Sequence, residues 1–209
     1  MICLNEKFFA LSEEKRLAII NAGYRIFSQN SYRKSPMSEI ADAAGISKSL
    51  LFYYFRNKKE LYLFLVKKSA DTTAEYLQKY NCYEQADFFE IMQSGLKAKI
   101  HLMKQYPDIA AFSLKFFYEK DSEVSGELKA FIEEYSAYRM NAQLLKLRPE
   151  QFLPGLDLQK MYQDMYWVSA GYLWEKFQAG NIDADAMEKD FTEMIEFWKK
   201  IYLRKEGEQ

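Results

Sequence analysis

The sequence predicts an all-α protein, and two features of its composition indicate this class. Only three Val and three Thr occur among the 209 residues, so two of the residue types that strands favour are nearly missing. Leu, Lys, Glu, Ala, Met and Gln, all good helix formers, are abundant instead. Apolar residues also recur at helical spacing along the chain. We therefore expect helices and no sheet.

Three short helices are predicted in the N-terminal third. Their starts and ends are Ser12 to Asn30, Ser35-Pro36 to Gly45, and Ser47 to Phe55. Ser is a favoured N-cap, Pro fits the first helical position, and Gly adopts the left-handed conformation that ends a helix. The short turn at Gly45 makes the second and third a helix-turn-helix pair. Asn57-x-x-Glu60 looks like a capping box that opens a long fourth helix.

The remainder is predicted to form longer helices, at 58–80, 84–105, 107–119, 122–147, 157–179 and 184–204. Helix 157–179 is apolar in three directions, which indicates burial on more than one side. In helix 184–204 the apolar residues step by four and three, as in a paired seam. We interpret these two helices as a dimer interface, with Phe191, Met194 and Trp198 near the seam. A monomeric core is the alternative.

Cysteine and histidine are too scarce for most catalytic or metal sites. His101 is the only histidine, and Cys3 and Cys82 are the only cysteines. They cannot supply a Cys/His metal site, and the chain has no C-x-x-C pair. We expect His101 to be an ordinary helix residue, and we predict no enzyme activity, no metal and no cofactor. Two cysteines this far apart favour a reducing compartment over a disulfide scaffold.

Targeting and membrane signals are not expected either. The N-terminal segment has no basic stretch followed by a long apolar run, as a signal peptide would. The longest apolar run, residues 61–66, falls far short of the ~20 residues of a membrane helix. We expect a soluble, cytoplasmic protein with no membrane partner.

Charge is distributed unevenly along the chain. Residues 1–68 carry a net charge of +6 and residues 69–209 a net charge of −7. A basic N-terminal third favours binding of a polyanion. Chance clustering of solvated lysines is the alternative, and charge alone does not decide between the two.

Segment 47–58 carries most of the candidate DNA contacts. The second helix of a helix-turn-helix enters the major groove, where its N-terminal residues meet base edges. Lys48 can donate to guanine, Ser49 can donate or accept, and Leu50 can contact a thymine methyl. The other candidates are Ser35, Ser38, Tyr53, Tyr54 and Lys58, which can reach phosphates, and Phe52, which fits either the core or a base contact.

Residues 12–72 resemble the DNA-binding domain of the TetR family of transcriptional regulators. The matching residues are Ala22, Ile26-Phe27, Met37, Ile40-Ala41, Ala44 through Lys48, Leu51-Phe52, Tyr54-Phe55, Asn57-Lys58 and Leu61. The resemblance implies that Lys48, Ser49, Leu50, Phe52, Tyr53, Tyr54 and Lys58 face DNA. Ser31 and Ser49 depart from the pattern, since the family commonly has Gly at both positions.

Beyond residue 72 the resemblance is only architectural. Family members pair through their last two long helices and bind small molecules in the same domain. The resemblance thus implies a helix-turn-helix DNA-binding head over 12–72, joined to a helical ligand-binding and dimerisation domain over 73–205. The aromatic and Met content suggests an apolar cavity. Its candidate lining residues are Phe112, Phe116, Tyr135, Tyr162, Tyr166 and Trp174, for each of which ordinary core packing is the alternative.

The predicted function is a sequence-specific, homodimeric transcriptional regulator. We expect a repressor that reads a palindromic operator in double-stranded DNA and responds to a small apolar or aromatic effector. An enzyme on a helical scaffold is one alternative, which the lone histidine argues against. A helical adaptor or ligand-binding protein without DNA-binding activity is the other, which the basic head and segment 47–58 argue against.

Overall fold

Helices make up the fold, and the all-α prediction is confirmed. The computed structural model describes residues 6–85, 87–144, 147–180 and 182–204. The helices are α1 (Glu6–Phe9), α2 (Glu13–Gln29), α3 (Met37–Ala43), α4 (Lys48–Tyr54), α5 (Lys58–Lys79), α6 (Phe88–Gln105), α7 (Ile109–Phe117), α8 (Ser125–Leu144), α9 (Leu158–Gln178) and α10 (Ala184–Tyr202). Among the described residues, the one extended pairing is a bridge between Phe152 and Leu203.

The chain divides into two compact units. Unit 1 comprises Met1–Thr72 and Gln105–Glu133, and unit 2 comprises Thr73–Lys104 and Glu134–Gln209. One division falls after Thr72. Residues 105–133, however, fold with the N-terminal helices, and no feature of the sequence announced this return of the chain.

Serine side chains begin two of the head helices as predicted. Ser12 and Ser47 each accept the backbone N–H of the residue three positions on, and so cap α2 and α4. Ser35 is different: it is fully buried, and its hydroxyl donates to the carbonyl of Ser31 at 3.0 Å. Pro36 takes the N-cap position of α3, without a side-chain bond. The predicted Ser35 cap is wrong because that hydroxyl is already used to close the preceding loop.

An aromatic cluster fills the centre of unit 1. It consists of Tyr24 and Phe27 of α2, Tyr62 of α5 and Phe112 of α7, each at most 1% exposed. The ring centroids of Phe27 and Tyr62 are 4.8 Å apart, and those of Tyr24 and Phe112 are 5.0 Å apart. Such pairs contribute about 0.5–1.5 kcal/mol beyond their area burial. Phe112 thus anchors α7 in the core of the head helices.

A short N-terminal helix, α1, is an element that the sequence did not predict. Its Phe8 is 1% exposed and packs against the rings of Phe55 at 5.0 Å and Phe64 at 5.3 Å. The Arg16 guanidinium donates to the carbonyl oxygens of Phe9 and Leu11, both at 2.7 Å. The helix is too short to be stable alone. Burial of one ring and the Arg16 contacts hold it on unit 1.

The core of unit 2 joins α6, α9 and α10. Its buried members are Phe88, Phe89, Phe152, Met161, Met165, Ile195 and Trp198. Trp198 is only 5% exposed and Met194 packs partly buried against the same cluster. The apolar seam predicted for the last helix therefore lies largely inside its own chain.

Candidate nucleic-acid interface and effector cavity

The turn between α3 and α4 is set by Gly45. Its φ of 69° is left-handed, which glycine adopts without strain. The N–H of Ile46 then donates to the carbonyl of Ala41 at 3.0 Å and closes the turn. Ile40, Ala41 and Leu51 are fully buried between the two helices. Because this side of α4 is committed to packing, its opposite side faces solvent.

The exposed side of α4 carries five of the predicted DNA contacts: Lys48, Ser49, Leu50, Phe52 and Tyr53. Phe52 is 38% exposed, which favours surface contact over the core among its two predicted places. The Lys48 ammonium lies 5.9 Å from the Phe52 ring centroid, and the Ser49 hydroxyl lies 3.0 Å from that of Ser47. One short helix therefore presents a cation, hydroxyls and apolar side chains together, which are the groups that read base edges in a major groove.

Two other predicted DNA contacts, Tyr54 and Ser35, are buried and do not lie on this surface. Tyr54 is 8% exposed and its ring packs 6.0 Å from that of Phe8, so its ring is not available to pack on a sugar. Ser35 is buried with its hydroxyl bonded internally, so it cannot reach a phosphate. Ser38, half-buried in the first turn of α3, keeps a position near that helix start.

Lys58 is held by the loop between α2 and α3. Its ammonium donates to the carbonyl of Arg33 at 3.2 Å and lies 4.5 Å from the ring centroid of Tyr32. The side chain is half-buried. Lys58 therefore also fastens this loop to the start of α5, besides its predicted role at a phosphate.

Two carboxylates from the loop after α7 fasten the same α2–α3 loop. Glu119 accepts the backbone N–H of Tyr32 at 2.8 Å, and Asp121 accepts from the Arg33 guanidinium at 3.0 Å. The backbone N–H of Glu123 and, after it, the Arg33 guanidinium hold the pKa of Asp121 below its usual range. Sequence reasoning missed this contact, because the partners are almost ninety positions apart and no pattern links them.

Unit 2 contains a partly open cavity of about 210 Å³. Its wall is mainly apolar and draws on the end of α5 and on α6, α9 and α10. Tyr135, Tyr162 and Tyr166, three of the six predicted lining residues, lie in this wall. A mainly apolar wall with a few polar groups is typical of small-molecule binding, and the volume lies below the roughly 300–1,000 Å³ of most ligand pockets.

The other three predicted lining residues lie elsewhere. Phe112 and Phe116 are 0% and 3% exposed and belong to the packed aromatic core of unit 1. Trp174 is 37% exposed on α9, with its ring 5.7 Å from that of Phe177. Aromatic content predicted these residues, but it does not distinguish a filled core from a cavity wall.

The polar groups of the cavity wall include a lysine and a buried thiol. Lys99 is exposed on α6, and Cys82 is 1% exposed beside α6. Burial raises the pKa of the Cys82 thiol, and the positive charge of Lys99 opposes that shift. No carboxylate lies among the lining residues of this cavity that the structure describes.

An exposed apolar surface covers part of α9 and α10. Its members are Trp167 (58% exposed), Val168, Trp174, Phe197 (59% exposed) and Ile201. The predicted interface residues Phe191, Met194 and Trp198 turn inward instead, with Phe191 in the cavity wall. The physical reason is that their stripe pairs with α6 and α9 of the same chain. Large exposed apolar patches mark interaction sites, and these five side chains lie on the last two helices.

Metal-binding clusters and membrane-spanning helices are absent from the described residues. No group of three or more His, Cys, Asp or Glu side chains there could hold a metal ion. Within the same residues, no helix is both long enough and apolar enough to cross a bilayer.

The fold and the exposed face of α4 define a helix-turn-helix protein with an appended helical unit. Residues 19–64 match the sequence profile of the bacterial regulatory proteins of the tetR family. The head of this chain is therefore a TetR-type DNA-binding domain.

Two regulators of known name share part of the sequence. The HTH-type transcriptional regulator RutR of Escherichia coli K12 is 29% identical over 129 residues, which is 59% of either chain. The HTH-type transcriptional activator FasR of Mycolicibacterium smegmatis is 37% identical over 59 residues, 28% of this chain and 27% of FasR. The matched part therefore spans well under two thirds of these relatives.

A solved structure shares the whole fold. A TetR family transcriptional regulator from Chloroflexus aurantiacus superposes with a TM-score of 0.64 at 22% identity, over 97% of this chain and 99% of that one. At this identity the likeness shows the fold alone.

Proposed function

We propose that the protein is a homodimeric, sequence-specific transcriptional regulator that represses until a small effector releases it from DNA. The exposed face of α4 carries the proposal. Lys48, Ser49 and Leu50 stand at the N-terminal end of a helix whose other side is fixed by Leu51. This end of the second helix is the part that meets bases in helix-turn-helix proteins. The excess of positive charge in residues 1–68 supplies attraction to phosphates.

Binding to a selected operator tests the DNA contacts. Lys48→Ala and Ser49→Gly are expected to alter base preference and to lose about 1–3 kcal/mol at one or two base pairs. Fluorescence anisotropy with wild-type and singly substituted operators measures this. Lys129→Ala, an exposed lysine of α8, is the control. If both α4 variants bind every operator as the wild type does, α4 is not the reading helix.

Lys58→Ala is expected to weaken binding to all duplexes alike and to flatten the salt dependence by about one unit per head. The variant also removes the bond to Arg33. A melting curve must therefore accompany the titration. An unchanged salt dependence would remove Lys58 from the interface.

A second copy is the proposed partner of the exposed surface on α9 and α10. Two heads must lie about 34–36 Å apart to read a palindrome, which requires a dimer. Trp167→Glu combined with Phe197→Glu is expected to yield folded monomers, since both side chains are more than half exposed. Light scattering and circular dichroism measure mass and folding. A wild type that is monomeric at micromolar concentration would contradict the proposal.

The effector is proposed to occupy the cavity of unit 2. Its apolar wall suits an aliphatic or aromatic body, and Lys99 at the wall suits an acidic group. A small weak acid is therefore the class we propose. The coupling is reciprocal: an effector that lowers operator affinity tenfold must bind tenfold more weakly to the DNA complex, about 1.4 kcal/mol.

Thermal-shift screening tests the effector proposal, because a ligand of the native state raises its stability. Hydrophobic acids and their neutral amides form matched pairs for this screen. Hits are then tested for release of a labelled operator. If no apolar compound stabilises the protein, or if the hits leave operator binding unchanged, the proposed effector response is contradicted.

A further inference from the structure

The helix α1 lies against the reading helix and places a cation beside one of its exposed side chains. Lys7 of α1 is exposed, and its ammonium lies 5.0 Å from the ring centroid of Tyr53 on α4. Tyr53 is itself 47% exposed. A hydrogen bond to the phenol oxygen of Tyr53 raises the pKa of Lys7, whose ammonium is charged at neutral pH. A permanent cation and a phenol hydroxyl thus stand side by side on one surface.

The position of Lys7 is fixed by the packing of its neighbours in α1. Phe8, the next residue, is buried among the rings of Tyr54, Phe55 and Phe64 at 5.0–6.0 Å. Tyr54 follows Tyr53 directly in α4, so the ring that Phe8 packs against adjoins the ring that Lys7 covers. Arg16 holds the other end of α1 through two carbonyl oxygens. The position of Lys7 is therefore tied to that of α4.

We propose that Lys7 and Tyr53 form a two-residue phosphate clamp, which adds α1 to the DNA-binding surface of the head. An ammonium and a phenol O–H are both donors to phosphate oxygens, and such contacts fix the register of a protein on the duplex without reading bases. Since Lys7 and α4 are held together by Phe8, one phosphate next to the groove that receives α4 is gripped as Lys48 and Ser49 enter it. The clamp rests on the proposed DNA-binding function.

The charge of Lys7 gives the clamp a distinctive readout. Each phosphate neutralised on B-DNA contributes about 0.9 to the slope of log affinity against log salt. A dimer carries two Lys7 side chains, so Lys7→Ala is expected to flatten the slope by about two. Lys7→Arg keeps the charge and should restore it. Tyr53→Phe removes only the hydroxyl, so it should lower affinity a few-fold and leave the slope unchanged.

The experiment is an anisotropy titration of the full chain on an operator duplex at four or more salt concentrations. The variants are Lys7→Ala, Lys7→Arg, Tyr53→Phe and the control Lys129→Ala, each checked by its melting curve. The expected result is a flatter slope for Lys7→Ala only. A Lys7→Ala slope equal to that of the wild type overturns the clamp, as does a Lys7→Arg slope equal to that of Lys7→Ala. If wild type shows no salt-dependent DNA binding, the proposed function falls and the clamp falls with it. A loss of affinity in Lys7→Ala at unchanged slope assigns α1 a structural role and also overturns the clamp.

Discussion

Both compact units are rich in aromatic side chains. Unit 1, the filled unit, has a packed aromatic cluster, whereas unit 2, the hollow unit, has a cavity beside its core. In unit 1, Tyr24, Phe27, Tyr62 and Phe112 are at most 1% exposed and contact one another ring to ring. In unit 2, aromatic and Met side chains surround a cavity of about 210 Å³. In unit 1 the rings of neighbouring helices pack against one another, whereas in unit 2 several rings border the cavity. Aromatic content alone therefore predicts that large side chains are present. Only the packing decides whether these side chains fill a core or line a cavity.

Glycines show the same contrast at the scale of one methyl group. A methyl at Gly23 of α2 would lie 2.5 Å from Cδ1 of the buried Leu65. A methyl at Gly95 of α6, in the cavity wall, would lie 3.6 Å from Leu77, an ordinary contact. The filled unit uses glycine to let α2 and α5 approach closely. The hollow unit has room to spare beside the same kind of residue.

The largest expected effect is on the filled core. Phe112→Ala should destabilise unit 1 by about 3–5 kcal/mol, because a fully packed ring leaves a cavity behind. Phe191→Ala should cost about 1 kcal/mol, because this ring is half-buried and already borders open space. Urea unfolding followed by circular dichroism measures both. The three tryptophans, at 167, 174 and 198, all lie in unit 2, so their fluorescence reports that unit separately. Equal losses for the two variants would contradict the contrast between the units.

The glycine pair should give opposite signs for one substitution. Gly23→Ala gains about 0.5–1 kcal/mol of helix propensity but incurs an overpacking cost of about 1–3 kcal/mol, so a net loss is expected. Gly95→Ala keeps the gain without the clash and should be more stable than wild type. Gly126→Ala, at an open helical position, is the control for propensity alone. Melting temperatures that rise for all three variants would show that unit 1 is less tightly packed than described.

A smaller effect is expected on effector affinity at Lys99, the lysine in the cavity wall of the hollow unit. Lys99→Met should weaken binding of an acidic effector about fivefold, roughly 1 kcal/mol, while affinity for the neutral amide of that compound stays unchanged. Lys97→Met, which removes an exposed lysine of α6 outside the cavity wall, is the matched control. Calorimetric titration of the acid and the amide measures the two affinities. If both fall together, Lys99 acts on the cavity shape and not on charge.

The smallest effect concerns the α2–α3 loop of the filled unit, which Asp121 in the loop after α7 holds in place. Because the pKa of Asp121 is lowered in the folded chain, its contribution to stability is present above the ordinary pKa of an aspartate. It is lost as pH falls through the lowered folded value. The melting temperatures of wild type and Asp121→Asn should therefore differ at pH 6, and the difference should shrink as the pH falls below about 4, the ordinary value for an aspartate. Asp42→Asn, an exposed carboxylate of α3, controls for the loss of a negative charge. A difference that stays the same from pH 6 down to about pH 2 would show that the carboxylate does not act through its charge.

Local chemistry determined much of the head. Ser12, Ser47 and Gly45 act within three or four residues of themselves, so their caps and turn could be predicted from neighbours in the sequence. The exposed face of α4 followed in turn, because the buried Leu51 fixes which side of a seven-residue helix remains for solvent. Five of the nine predicted DNA contacts lie on that face as a result. Tyr54 was misplaced because its partner, Phe8 in an unpredicted helix, is set by packing. Ser35 was misplaced because its burial is decided by packing, although the carbonyl that it donates to, that of Ser31, is only four residues away.

Tertiary structure alone decided the rest. The seam of α10 had the right period for pairing with another helix, but period does not say whether that helix belongs to the same chain, and here Trp198 packs within its own unit. Phe112 and Tyr162 are alike in sequence terms, yet one closes a core and the other borders a cavity. The hold of Glu119 and Asp121 on the α2–α3 loop joins residues almost ninety positions apart. Such contacts depend on which distant segments of the chain pack together, and helical periodicity carries no information about that pairing.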